Sequence, residues 1–232
     1  VGSRFLKLEP NKLINRETES IIGSKLEHTI MCANLNILSE EMDRLEKVEL
    51  KNVSWPKYQS TAKANFSIAH QSDQLTIKFR VTEKHLSVKN AEINGAVNRD
   101  NCVEFFVQFP DCEEYYNIEF NCLGVGKIGF GKSRYDRWLL DETLIKSIKI
   151  DLRLRYCGSI INNNLNWELL LVIPLEFFCY NKISSFDGML LRANFYKCGD
   201  DLPDPHYLTW NKIETHEPDF HQPEYFGEVQ LA

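Results

Sequence analysis

Three histidines, His206, His216 and His221, stand among Asp204, Glu217 and Asp219 near the C-terminus. Imidazole and carboxylate together hold transition metals and move protons, so the stretch HEPDFHQPEYFG (216–227) draws attention first. The histidines are ten and five residues apart, with no HxH or HExxH pattern, and read as polar loop residues rather than a ligand set. Glu104 and Glu119 are a second candidate, as the paired carboxylates of a glycosidase. Cys198, in KCGDD, is a thiol near histidines in the sequence but without a recognisable nucleophile pattern. The seven cysteines (Cys32, Cys102, Cys112, Cys122, Cys157, Cys179 and Cys198) include no CxxC pair. They read as reduced, small core residues rather than zinc ligands, which points to a reducing compartment, the cytoplasm. The acids of GDDLPD (199–204) suit calcium, or an ordinary turn; otherwise no cofactor is expected.

These groups need a frame. The chain has 232 residues, 43% hydrophobic and 26% charged, enough for one large domain with a sizeable core. A net charge of -6 and a pI near 5.6 argue against a nucleic-acid partner. No apolar run approaches the ~20 residues of a membrane span, and no charged, apolar, then small-residue leader opens the chain. Residues 1–27 are polar and weakly patterned and read as a loose extension. HTIMCANLNI (28–37) is a candidate strand. LSEEMDRLEKVEL follows at helical spacing through Leu38, Met42, Leu45 and Val48, with Ser39 as a cap and Pro56 as a stop. From residue 62 the period becomes two. Leu75, Ile77, Phe79 and Val81 alternate with Thr76, Lys78, Arg80 and Thr82; IKIDLRLRY, NWELLLVIP and RANFYKCG behave alike. These read as half-buried strands with one wet face. No long helices connect them, so the expected fold is all-β, an antiparallel sandwich. Trp167 reads as core, and Trp210 as core or pocket floor.

NCVEFFVQF (101–109) and YYNIEFNC (115–122), joined by PDCEE, form a hairpin. Matching apolar faces sets Phe109 opposite Tyr116, Gln108 opposite Asn117, Phe106 opposite Glu119 and Glu104 opposite Asn121. One face then carries Val103, Phe105, Val107 and Phe109 into the core. The other is a plane of amides and carboxylates that Arg192, Asn194 and Tyr196 would widen. Planar polar groups of this kind bond sugar hydroxyls in pairs, while an aromatic stacks on the sugar's apolar face. A sandwich also needs a solvated face in any case.

DNCVEFFVQF, YYNIEFNCLGVG, NWELLLVIP and the long run RANFYKCGDDLPDPHYLTWNKIETHEPDFHQPEYFGEVQL resemble, in order, the family 9 carbohydrate-binding modules. The likeness spans roughly residues 28–232 and is nearest to stand-alone family 9-like proteins of Bacteroides-type bacteria. It implies an immunoglobulin-like β-sandwich related to the DOMON superfamily and non-catalytic binding of a saccharide end or short glycan, linked to glycan degradation. Family members hold a sugar between two tryptophans; the matching positions here are Phe220, still aromatic, and Asn98, which is not. The family's glutamate is Glu104, and its arginine on the next strand falls at Asn117. Trp138 or Tyr135 is a candidate replacement ring, and His206 a bond to sugar or backbone. DOMON relatives bind haem through methionine and histidine, but Met31, Met42 and Met189 follow no such pattern. The ligand expected is therefore a carbohydrate, with a hydrolase using Glu104 and Glu119, or a degenerate module binding a protein partner, as alternatives.

Overall fold

A computed structural model describes residues 18–26, 34–158 and 163–232. The elements run β1 (Ser20–Lys25), α1 (Leu35–Arg44), the short β2 (Val48–Glu49) and β3 (Asn52–Val53), then β4 (Lys63–Gln71) and β5 (Gln74–Glu83). They continue with β6 (Cys102–Gln108), β7 (Tyr115–Asn121), β8 (Gly126–Gly131), β9 (Arg137–Leu139), α2 (Glu142–Ile145) and β10 (Lys149–Gly158). β11 (Asn163–Pro174), β12 (Leu190–Cys198), β13 (Tyr207–Thr209) and β14 (Gly227–Leu231) complete the chain.

One sheet has the order β10-β11-β5-β4 and the other β14-β12-β6-β7-β8-β9. The alternating residues meet between them. Phe66 of β4 stacks on Phe195 of β12 at 3.6 Å, and Phe79, Phe105 and Trp210 close around that pair. Each such ring, fully buried, contributes about 1.5–3 kcal/mol. Trp210 and Trp167 are both core residues. The fold is the expected β-sandwich. Residues 20–25, grouped by sequence with a loose extension, form a strand instead. β1 pairs in parallel with β14 through Ser20–Gly23 and with β4 through Ser24 and Lys25, so it joins the two sheets. The candidate strand at 28–37 lies partly outside the described residues, and its last three residues open α1.

Three expectations are corrected. Asn34, not Ser39, caps α1: its side chain accepts from the Asn36 N–H, while Ser39 is buried within the helix. Next, the outer face of the first sheet is wet only in part: Lys149 and Arg155 of β10 are exposed, but α1 covers the β4–β5–β11 portion. Leu38 and Met42 of α1 pack on Ala69, Leu170 and Val172, and the helix also covers Lys78. Burial of that ammonium is offset by Asp43 at 2.7 Å, Glu168 at 2.9 Å and the Ser39 carbonyl at 3.2 Å. Third, the β6–β7 register differs by two residues. Val107 lies opposite Tyr116, Phe106 opposite Asn117, Glu104 opposite Glu119 and Cys102 opposite Asn121. A two-residue shift leaves every side chain on its face, so apolar matching cannot detect it. The connection decides instead. Phe109 leaves the ladder to pack on Tyr116 and Phe178, and Asp111 turns the chain at φ 57°.

Candidate functional site

The second face of the β12-β6-β7 sheet is where the polar plane was expected. Cys102, Glu104, Phe106 and Gln108 project there from β6, Tyr115, Asn117, Glu119 and Asn121 from β7, and Asn194, Tyr196 and Cys198 from β12. Every one of them is buried. The cover is the C-terminal segment HEPDFHQPEYFG (216–227). Phe220, Tyr225 and Phe226, with Ile213, Trp55 and Val97, pack on Phe106, Tyr115 and Tyr196 as a second apolar cluster. Pro223 begins a short 3-10 turn through Tyr225, and Gly227 opens β14. A side chain at 227 would put its Cβ 2.3 Å from the Asn211 amide nitrogen, so the chain passes here only as glycine.

A pocket remains between this cover and the sheet. Asn98, Glu104 and Phe220 line it together with Glu119, Lys127, Arg134, Arg137, Cys198, Asp200, Tyr207, Pro218, Asp219 and His221. Glu104 and Glu119 are its deepest acids, cross-strand partners each 3% exposed. Burial, reinforced by Glu119, holds the Glu104 carboxyl well above the usual range. Burial raises Glu119 too, although Lys127 and Arg137 pull it back. Lys127 Nζ stands 3.6 Å from one Glu119 oxygen; Arg137 Nη1 stands 3.8 Å from the other, which accepts from Asn117 Nδ2 at 2.8 Å.

Arg137 reaches Glu119 across β8. At two of the three β8 positions on this face stand Gly129 and Gly131, the third being Lys127. A Cβ at 129 would fall 2.6 Å from Asn117 Oδ1 and 3.4 Å from Arg137 Cδ, and one at 131 would meet Arg137 Cβ at 2.6 Å. The glycines leave the channel in which the arginine lies. At the rim Asn98 Nδ2 donates to Asp200 Oδ2 at 2.7 Å, and Arg134 pairs with Asp219 at 3.7 Å. Burial raises the Asp200 carboxyl. His221 Nδ1 and the Tyr115 hydroxyl are hydrogen-bonded at 2.8 Å, and burial with Arg137, Arg134 and Lys127 nearby pushes the imidazole down to about 2.

The structure therefore gathers Asn98, Glu104 and Phe220 at one pocket, with Asn117 directly beneath as the residue that orients Glu119. The other sequence candidates, Trp138, Tyr135, Arg192 and His206, lie elsewhere. Trp138 is on the core side of β9 against Phe130 and Tyr180, because it faces Phe130 across the ladder. Tyr135 is 92% exposed. Arg192 bonds Gln108 and the Pro223 carbonyl at the far end of the face. His206 is buried between Lys197 and Glu83, on the sandwich-core side. His216 is exposed beside Glu217, so the three histidines do not converge. Of the GDDLPD acids, Asp200 serves the pocket, and the Asp204 carbonyl receives His206 Nδ1.

Asn117 stands at the position matched to the family's arginine, and a guanidinium borders the pocket from two strands away, that of Arg137. The ring lacking at 98 has a counterpart in Tyr207, which stands edge-on to Phe220 at 6.0 Å and 76°. Two rings at that angle make a corner, not a parallel clamp. Phe220 itself has one face committed, stacked on Tyr196 at 4.1 Å and 7°.

The sequence model of carbohydrate-binding family 9 matches residues 35–231. The chain belongs to that family. Non-catalytic carbohydrate binding is the function that goes with this membership. Among solved structures the chain is similar to a candidate carbohydrate-binding protein from Bacteroides uniformis: 29% identity, 93% of this chain, 100% of that one, TM-score 0.83. Two family 9 modules from Caldicellulosiruptor kristjanssonii, solved with cellotriose and with glucose, share the fold at 13% and 12% identity. They cover 92% of this chain in both cases and 93% and 96% of their own, with TM-scores 0.59 and 0.55. No curated protein matches the chain significantly.

Proposed function

We infer that the pocket beneath residues 218–221 is the saccharide site of this family 9 protein. The observation that carries this reading is the convergence of Asn98, Glu104 and Phe220, from three separate segments, on one polar pocket. Arg137 Nη1 is buried there without a hydrogen-bond partner among the described residues, so it can donate a hydrogen bond to a ligand hydroxyl oxygen. Glu104, Glu119, Asp200 and Asn98 offer further planar acceptors and donors, which suit vicinal hydroxyls. The corner of Phe220 and Tyr207 gives the apolar contact. A walled corner receives a chain end better than the middle of a long glycan, so the ligand is a saccharide end or short glycan.

The test is a glycan array followed by calorimetry, with glucose and cellotriose as first probes. A saturable saccharide signal that weakens in Arg137→Ala supports the site. No saccharide binding at millimolar concentrations would sink it. Because Glu104 and Glu119 share the pocket, the same protein is assayed for glycoside hydrolysis. Turnover lost in Glu104→Gln and Glu119→Gln would replace the binding module with an enzyme.

A further inference from the structure

Cys102 and Cys198 are cross-strand partners in the β6–β12 pair, and Glu104 follows Cys102 on the same face. One donor atom from each, two thiol sulfurs and a carboxylate oxygen, lie within 4.8 Å of one another. Among the described residues no other three potential ligands converge this way. Cys198 Sγ is 3.1 Å from Glu104 Oε1. All three side chains are buried, yet among the described residues no cation stands within 4 Å of Glu104: Lys127 and Arg137 pair with Glu119 instead. A buried carboxylate with no adjacent positive charge is costly, and beside two thiols it is also a half-built cation site.

We propose that Cys102, Cys198 and Glu104 bind a thiophilic divalent cation of the zinc class at the floor of the pocket. Sulfur donors select against calcium and magnesium, which take oxygen ligands, and favour zinc or cadmium. Tetrahedral zinc with Zn–S near ~2.3 Å sets its sulfurs ~3.8 Å apart, so the donors need contract by less than about 1 Å. Glu104 and Cys198 both border the pocket whereas Cys102 lies deeper, so the fourth position opens toward the cavity. Water, or a hydroxyl of a pocket ligand, completes it. Binding releases two protons to solvent as both thiols become thiolates, together with any proton on Glu104, so affinity rises with pH. The site goes beyond saccharide binding and does not require it.

The test uses the full chain, reduced with a phosphine, stripped with a chelator and titrated with cadmium, then with zinc as competitor. The thiolate-to-cadmium ultraviolet band saturates at one equivalent per chain and is displaced by zinc. Cys198→Ser and Cys102→Ser abolish it, Glu104→Gln weakens the affinity tenfold or more, and the Cys112→Ser/Cys179→Ser double variant leaves it unchanged. Should Cys102→Ser fail to fold, Cys198→Ser and Glu104→Gln carry the test alone, with native circular dichroism as control. A band that survives in Cys198→Ser, or no saturable band, overturns the proposal. Saccharide plays no part in this titration, so its outcome is separate from that of the glycan screen.

Discussion

Phe220→Ala separates two roles for the ring at the centre of the cover. A free stacking platform would leave stability alone when truncated and would lose only the ligand. The structure gives Phe220 a different position. Its ring is 8% exposed, lies flat on Tyr196 at 4.1 Å, and meets Trp55 at 5.9 Å and Tyr207 at 6.0 Å. Its carbonyl also accepts the Tyr196 hydroxyl at 3.2 Å. Truncating a core phenylalanine to alanine costs about 3–5 kcal/mol, of which stacking supplies about 0.5–1.5. The cover is a loop that can relax, so the lower end, about 3 kcal/mol, applies. For a domain this size that lowers Tm by roughly 6–12 °C. Phe220→Leu keeps apolar volume and should recover more than half of the loss. The assay is calorimetric unfolding of the native protein and both variants, with saccharide titration well below each transition. Affinity should fall in Phe220→Ala because the loop that positions Asp219 and His221 loosens. An unchanged Tm with binding lost tenfold or more would instead make Phe220 a pure ligand platform with no part in the packing of the cover.

Gly129→Ala places a methyl against the fully buried Asn117 amide and the Arg137 stem; overpacking of about 1–3 kcal/mol should appear in urea unfolding, with weaker saccharide binding in calorimetry. Arg137→Ala removes a pocket donor while Asn117 and Lys127 still hold Glu119, so affinity should drop tenfold or more with Tm shifted by less than about 4 °C. His206 is held neutral, its pKa lowered from 6.5 to about 4 by burial and by Lys197, so the folded state binds fewer protons than the unfolded one. The stability it gives is present above pH 6.5 and lost as pH falls toward 4, by about 3 kcal/mol. The raised carboxyls of Glu104 and Glu119 act in the opposite sense. The His206 contribution is therefore the difference between native and His206→Gln unfolding curves over that interval, and a flat difference would contradict it.

The strands were legible because burial on one side writes a period of two. Phe79, Phe105 and Phe195 each stand where alternation put them, and they meet around Phe66 in one stack. The partner of a given residue was not legible. Glu104 opposite Asn121 and Glu104 opposite Glu119 satisfy the same alternation, and only the path of Phe109 and Asp111 distinguishes them. That difference matters chemically, because the observed register sets two carboxyl groups side by side. The site cations were missed for a related reason. Arg137 and Glu119 are joined by neither strand pairing nor sequence spacing, and the signal was in residues without side chains. Gly129 and Gly131 stand on a face whose other β8 position is Lys127, and missing side chains on a buried face imply that something else fills the space.

The polar face was read as wet because Glu, Gln and Asn usually mean water. Here the same residues are buried, and burial makes each of them answerable for a partner. Asn194 serves the Asn211 carbonyl and receives the Phe195 and Asn211 N–H groups; Asn121 receives Leu123 and Val125 and reaches Asp100. Gln108 is held by Arg192 and the Glu113 carbonyl. Satisfaction runs out around Glu119, where Asn117 Oδ1 and Arg137 Nη1 lack partners among the described residues. Cover and sheet thus seal one another along most of the face, and the pocket falls where the carboxyl pair, the guanidinium nitrogen without a hydrogen-bond partner and the Cys198 thiol meet. A structural network would have closed that gap with one more amide. Leaving an N–H donor buried and unpaired costs about 1–3 kcal/mol, and a hydroxyl-bearing ligand is what would recover it.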